Sequence, residues 1–172
     1  MYRVFQCFLA LFCAAIVSAA TSVEWDLKST LQYVEEYQKS KDAEMVYVAN
    51  FCGGFIRGFA ITAGRQPTVD EVNKVADIVE AFAAKKLIPR LKKDRLYEEW
   101  VSCQLDPGML RLTEAMLKVN TRREIMREVT RQHDWLLSHY PTLTNALDND
   151  PAYKGIVVEL YADIQKLFAE EE

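Results

Sequence analysis

The sequence predicts an all-α fold: a single-domain bundle of about six helices with one disulfide. Apolar residues recur three and four positions apart from end to end, the spacing of one helix face. Helix-opening patterns punctuate the chain, either a Thr followed three residues later by Glu or an Asp-Pro pair. No stretch alternates β-branched with polar residues in the manner of a strand. Half of the 172 residues are hydrophobic and 27% are charged, with only 6 Gly and 5 Pro, which excludes a disordered or collagen-like chain.

Residues 1–20 read as a secretory leader. Arg3 makes the start positive, an uncharged apolar run over 4–17 follows, and Ser18-Ala19-Ala20 offers small residues for cleavage. The run is too short for a comfortable membrane span, which needs about 20 apolar residues. Leu11 and Phe12 precede Cys13, where a lipoprotein signal would carry small residues. The expectation is an exported chain, periplasmic in a bacterium and otherwise secreted, with no stable membrane anchor after cleavage; an uncleaved membrane anchor is the alternative. The mature domain is then 21–172. It loses Arg3, so 20 basic residues face 25 acidic ones, and it loses Cys7 and Cys13, so two cysteines remain. An even pair in an exported protein predicts one disulfide, Cys52–Cys103, stabilising by roughly 4 kcal/mol in the chain-entropy model, with a reactive thiol or a metal ligand as the competing reading.

The helices follow in order. A first covers 23–39, with Leu27, Leu31 and Val34 on one face. Asp42 caps a second that carries Met45, Val48, Cys52, Phe55 and Phe59 and stops at Gly64. Thr68 and Glu71 form a capping box for the third, with Val72, Val75, Val79 and Phe82 inward, and Pro89 breaks or restarts it. Leu91, Leu96, Trp100 and Cys103 mark a fourth. Asp106-Pro107 opens a fifth through Leu110 and Leu117, and Thr121 with Glu124 opens a sixth that Pro141 ends. A short turn spans 142–148, and Asp150-Pro151 launches the last helix through Tyr153, Val157, Leu160, Ile164 and Leu167.

The least ordinary stretch is Phe51-Cys52-Gly53-Gly54-Phe55-Ile56-Arg57-Gly58. Each helical Gly costs about 1 kcal/mol relative to Ala, so Gly53, Gly54 and Gly58 call for a reason. Gly54 and Gly58 lie one turn apart, which predicts close helix packing, with a ligand or partner surface as the alternative. Charge is also uneven. Residues 85–131 hold 12 basic and 7 acidic side chains, and 132–172 hold 2 and 8. Lys85, Lys86, Arg90, Lys92, Lys93 and Arg95 form a cluster that suits either a solvated face or an anionic partner.

No catalytic, cofactor-binding or metal-binding set emerges, and no cofactor is expected. His133 and His139 are six apart, on nearly opposite sides of a helix, unlike the i, i+4 pair that shares a metal. Glu35/Glu36 and Glu98/Glu99 are sequence neighbours that do not face one another. Ser102 and Ser138 lack a nucleophile signature. Net acidity and export argue against nucleic acid.

Tyr47-x4-Cys52-Gly53-Gly54-Phe55-Ile56-Arg57-Gly58 resembles the Cys-x-Gly-aromatic-Ile-x-Gly signature of the small periplasmic immunity proteins that neutralise amidase effectors of type VI secretion. Thr68-Val69-Asp70-Glu71-Val72, a helix, and then Leu96-x3-Trp100-x2-Cys103 are similar in order to the later part of that domain, covering about 44–104. Trp100-Val101-Ser102 stands where the family has an aromatic-Pro pair, and 105–172 find no counterpart. The resemblance implies an all-α, often dimeric protein that blocks a secreted amidase. Cys52, Gly54, Gly58 and Cys103 would be structural. The expected function is therefore a non-enzymatic binder of the immunity type. A periplasmic stress chaperone and a helical hydrolase are the alternatives.

Overall fold

In the computed structural model, which describes residues 39–169 together with Gln32, Glu35 and Glu36, Asp42 sets the start of the first full helix. Its carboxylate accepts from the N–H groups of Glu44 (2.9 Å) and Met45 (3.3 Å), two of the donors that a helix N-terminus leaves open. Helix α1 (Ala43–Ala63) then runs to Gly64, whose φ of 69° is the left-handed geometry glycine tolerates. The leader and most of the helix expected over 23–39 lie outside the described residues.

Helix α2 (Val69–Phe82) opens on the expected capping box. Thr68 Oγ1 accepts the Glu71 N–H at 3.1 Å, and Glu71 Oε2 accepts the Thr68 N–H at 2.6 Å. Arg65 closes a fork on the same carboxylate, at 2.9 and 2.5 Å. Downstream the chain does not break at Pro89. A π-helical turn (Ala83–Leu87) leads directly into α3 (Ile88–Lys93), and the Ile88 N–H reaches back five residues to the Ala83 carbonyl. Proline has no N–H to donate and its ring collides with the carbonyl four residues earlier, so a locally wider turn lets the rod continue.

The single helix expected through Leu91, Leu96 and Cys103 is two. Arg95 takes a φ of 61°, and the Leu96 N–H closes on the Leu91 carbonyl at 2.8 Å before α4 (Tyr97–Gln104) begins. Asp106 caps α5 (Pro107–Leu117) through the Gly108 N–H at 2.6 Å, and Thr121 with Glu124 caps α6 (Arg122–His139). The turn expected over 142–148 is instead helix α7 (Pro141–Asn149). Pro141 ends α6 and also fits the first turn of a new helix, where its missing N–H costs nothing. Helix α8 (Pro151–Ala169) closes the described chain.

The all-α expectation holds, with no β-strand among the described residues. Helix α1 is central: α2, α4, α5 and α6 pack around it, and α8 lies across α2 and α7. Val46, Cys52, Ile56, Val72, Val75, Val79, Leu91, Trp100, Tyr153, Leu160 and Ile164 are buried. The Phe168 ring closes one flank, 5.9 Å from Phe55 and 5.6 Å from Phe59. By length and composition α1 could cross a membrane, but here nine of its residues are buried within the bundle.

The expected disulfide is not present. Cys52 and Cys103 are both thiols, 0% and 2% exposed, within one apolar core. Counting cysteines in an exported chain says nothing of where their sulfurs point. Buried thiols also pack well as small apolar groups, and that is the part these two play.

Candidate binding cavity

Beside α1 the packing leaves a cavity of about 270 Å³. Tyr47, Asn50, Phe51, Gly54, Gly58 and Thr62 line it from α1, recurring at three and four so that one face of the helix forms a wall. Fifteen residues separate Tyr47 from Thr62, which makes that wall about 22 Å long at 1.5 Å per residue. The opposite walls come from Trp100 and Cys103 on α4, Met109, Thr113 and Met116 on α5, Ile125, Val129 and Leu136 on α6, and Leu143 and Leu147 on α7. Phe55, Arg57, Phe82, Leu87, Gln104, Gln132, Thr144, Asp148, Val157 and Tyr161 complete it.

The glycines explain why space is left. Among the described residues, a Cβ added at Gly58 would meet nothing within 4 Å, and one at Gly54 would meet only the Met116 methyl at 3.5 Å. Close helix packing was expected of Gly53, Gly54 and Gly58. Gly53 is buried in α1, but Gly54 and Gly58 admit no second backbone. They widen the cavity. Contrast Gly108, where a Cβ would stand 2.5 Å from Trp135 Cζ2, so that this glycine does serve close contact.

The lining is largely apolar, and its polar groups are mostly committed. The hydroxyls of Thr62, Thr113 and Thr144 donate to carbonyls of their own helices at 2.8, 3.2 and 2.7 Å. Arg57 donates to the Val119 carbonyl and to Asn120, and burial draws its guanidinium below the usual arginine range against the opposing pull of Glu124. Asp148 Oδ2 lies 2.7 Å from His133 Nε2. Asn50 differs: its amide nitrogen and oxygen are both buried, and neither has a hydrogen-bond partner. A buried amide left this way costs roughly 1–3 kcal/mol.

Two further groups bear on chemistry. Burial pushes the Cys103 thiol up to about 12, helped by the charges of Asp106 and Glu99, so it stays protonated. Burial likewise holds the Tyr47 phenol well above its ordinary value, with Cys52 adding to the effect. Nucleophilic cysteines need the reverse environment, one that favours thiolate.

The other sequence candidates stand apart from the cavity or in plain structural roles. His139 stacks on Trp135 with ring centres 4.3 Å apart, and its Nδ1 lies 2.9 Å from the Trp135 carbonyl oxygen. Glu99 accepts the Leu143 N–H at 3.1 Å, whereas the Ser102 hydroxyl donates to the Glu98 carbonyl and the Ser138 hydroxyl to that of Asp134. Glu36 accepts from Gln32 at 3.4 Å, one turn away. Within the basic cluster, Lys86 pairs with Glu159 on α8, and Arg90 pairs with Asp94 (2.6 Å) and Asp150 (2.8 Å). Lys92 lies over the Tyr97 ring at 4.6 Å. Those cations therefore tie α3 and the π turn to their neighbours. No group of three metal-ligating side chains occurs among the described residues.

Sequence reasoning missed Asn50. It followed the face centred on Cys52, Phe55 and Phe59, and the cavity opens on the adjacent face, with Phe55 at its edge. A signal was available: Asn50, Gly54 and Gly58 fall at i, i+4 and i+8, a stripe of one amide and two bare positions in an otherwise apolar helix. No family model matches the chain, no curated protein matches it in sequence, and no solved structure matches it in fold.

Proposed function

We propose that this protein is an exported, non-enzymatic binding protein whose site is the apolar cavity along α1. The observation that supports this most is the unfilled space at Gly58, in a cavity whose lining is mostly apolar, with Phe51, Met116, Val129 and Leu136 among it. Dry cavities of about 150 Å³ already admit a benzene-sized guest, and this one is larger. Each methylene taken from water contributes about 0.8 kcal/mol, so a chain of ten supplies about 8 kcal/mol before the cost of association. That cost is about 4 kcal/mol or more, which leaves at most about 4 kcal/mol, a Kd near ~1 mM before any polar contact adds to it. The protonated Cys103 thiol argues against a cysteine-based hydrolase.

The test uses an environment-sensitive apolar dye, N-phenyl-1-naphthylamine, with purified mature protein. Saturable fluorescence enhancement in the folded protein, lost when Gly58→Leu fills the wall, supports the reading. Absence of enhancement in the unsubstituted protein ends it.

The resemblance over 44–104 favours a second reading, an immunity-type inhibitor whose outer surface blocks a secreted cell-wall amidase, with a homodimer as its assembly. Co-production with a candidate amidase decides it. Rescue of growth together with a stable complex supports inhibition, and lysis without a complex removes it.

A further inference from the structure

We infer that the cavity's ligand is a single-chain amphiphile carrying a neutral hydrogen-bonding group, an amide or hydroxyl, that seats against Asn50. The inference rests on the cavity reading above and names its ligand. Shape gives the first half of the argument. The wall follows α1 from Tyr47 to Thr62 across some four turns, about 22 Å, which suits an elongated apolar chain better than a compact ring.

Asn50 gives the second half. Its side chain offers two donors and one acceptor, yet both amide atoms are buried with no partner in the protein. The threonines of the lining are satisfied by their own helices, so they do not compensate it. A guest with its own donor and acceptor would complete the amide, whereas a pure hydrocarbon would leave it uncompensated. The same lining speaks to charge. Arg57 and Asp148 are its ionised groups, and each is already engaged, with Val119 and Asn120 in one case and His133 in the other. An ionised head group seated against Asn50 would have no counter-charge beside it, since Arg57, whose hydrogen-bond partners are both neutral, sits seven residues and about 10 Å further along α1. The polar group that enters is therefore neutral.

A matched set of twelve-carbon probes tests this: dodecane, dodecan-1-ol and dodecanamide, each displacing N-phenyl-1-naphthylamine from the full mature protein and from Asn50→Leu. The expected result is that Asn50→Leu weakens the alcohol and the amide five- to tenfold while dodecane stays within twofold. Equal weakening of all three probes, or none for the polar pair, overturns the inference, the latter meaning that the amide is served by trapped water alone. Failure of the dye to enter the unsubstituted protein instead ends the cavity reading itself, so the two failures are distinct. Asn50→Ala serves as the second variant should Asn50→Leu misfold by circular dichroism, with the same pattern expected.

Discussion

At Gly58 a missing side chain leaves a void, and at Gly108 it prevents a collision, so the same substitution should act in opposite directions. Gly58→Ala adds a methyl where nothing lies within 4 Å and removes a helix penalty. Its unfolding free energy should rise by about 0.5–1 kcal/mol. Gly108→Ala drives a Cβ to 2.5 Å from the Trp135 ring and should cost about 1–3 kcal/mol. Urea unfolding of the two variants checks both signs. The thiols give a second measurement at this scale. Cys52 and Cys103 are buried thiols, so iodoacetamide should leave the native domain unmodified and alkylate both sites in denaturant without added reductant. Recovery of an unalkylated, bridged pair from denatured protein would contradict the structure.

Helix ends carry their own pH dependence, and α2 is the clearest example. Burial pushes the Glu71 carboxyl up, but the Arg65 fork and the Thr68 N–H outweigh it and hold the group below its ordinary 4.5. A depressed carboxyl stabilises the fold fully above its unfolded value, and the contribution disappears as pH falls from there through the folded value. Stability should therefore drop as acid takes the solution below about pH 4.5. Glu71→Gln should flatten that part of the profile while lowering stability at neutral pH by about 1–2 kcal/mol. Thermal melts across pH 3–7 for both proteins provide the comparison. Elements of this kind were the legible part of the sequence. Asp42, Gly64, Thr68, Asp106-Pro107 and Thr121 act on backbone groups within three or four residues, so the information that places a helix end sits beside it. The break at Arg95 was not legible, because a non-glycine residue takes the left-handed turn and the bond that fixes it joins Leu96 to Leu91. Pro141 was read as a terminator only, although first-turn chemistry permits it to start a helix as well.

The whole molecule hides its cavity in relations among eight segments, and no local pattern states where eight segments will fail to meet. Hydrophobic spacing foretold that α1 would be buried, and it did so by marking the Cys52–Phe55–Phe59 side. The adjacent side bears Phe51 and Tyr47 as well as Gly54 and Gly58, so periodicity alone gave no reason to choose it. Cysteine parity failed for a related reason: it counts sulfurs, and bridging depends on how α1 and α4 are turned toward each other. If the cavity takes a guest, the folded state gains about 2.7 kcal/mol at a free ligand concentration one hundred times Kd. For a chain of this size that corresponds to a rise in Tm of about 5–10 °C. Differential scanning fluorimetry with dodecan-1-ol should show it, and the Gly58→Leu protein should show no such rise.

Two bare positions on one helix, one facing open space and the other the tip of a methionine, amount to an adjustable gauge. The first added carbon at 58 meets nothing within 4 Å, and lengthening the residue from Ala through Val to Leu subtracts room in increments of a carbon or two. The maximum guest size could in this way be written into the chain by a single codon, and relatives differing only there would sort similar molecules by their carbon count.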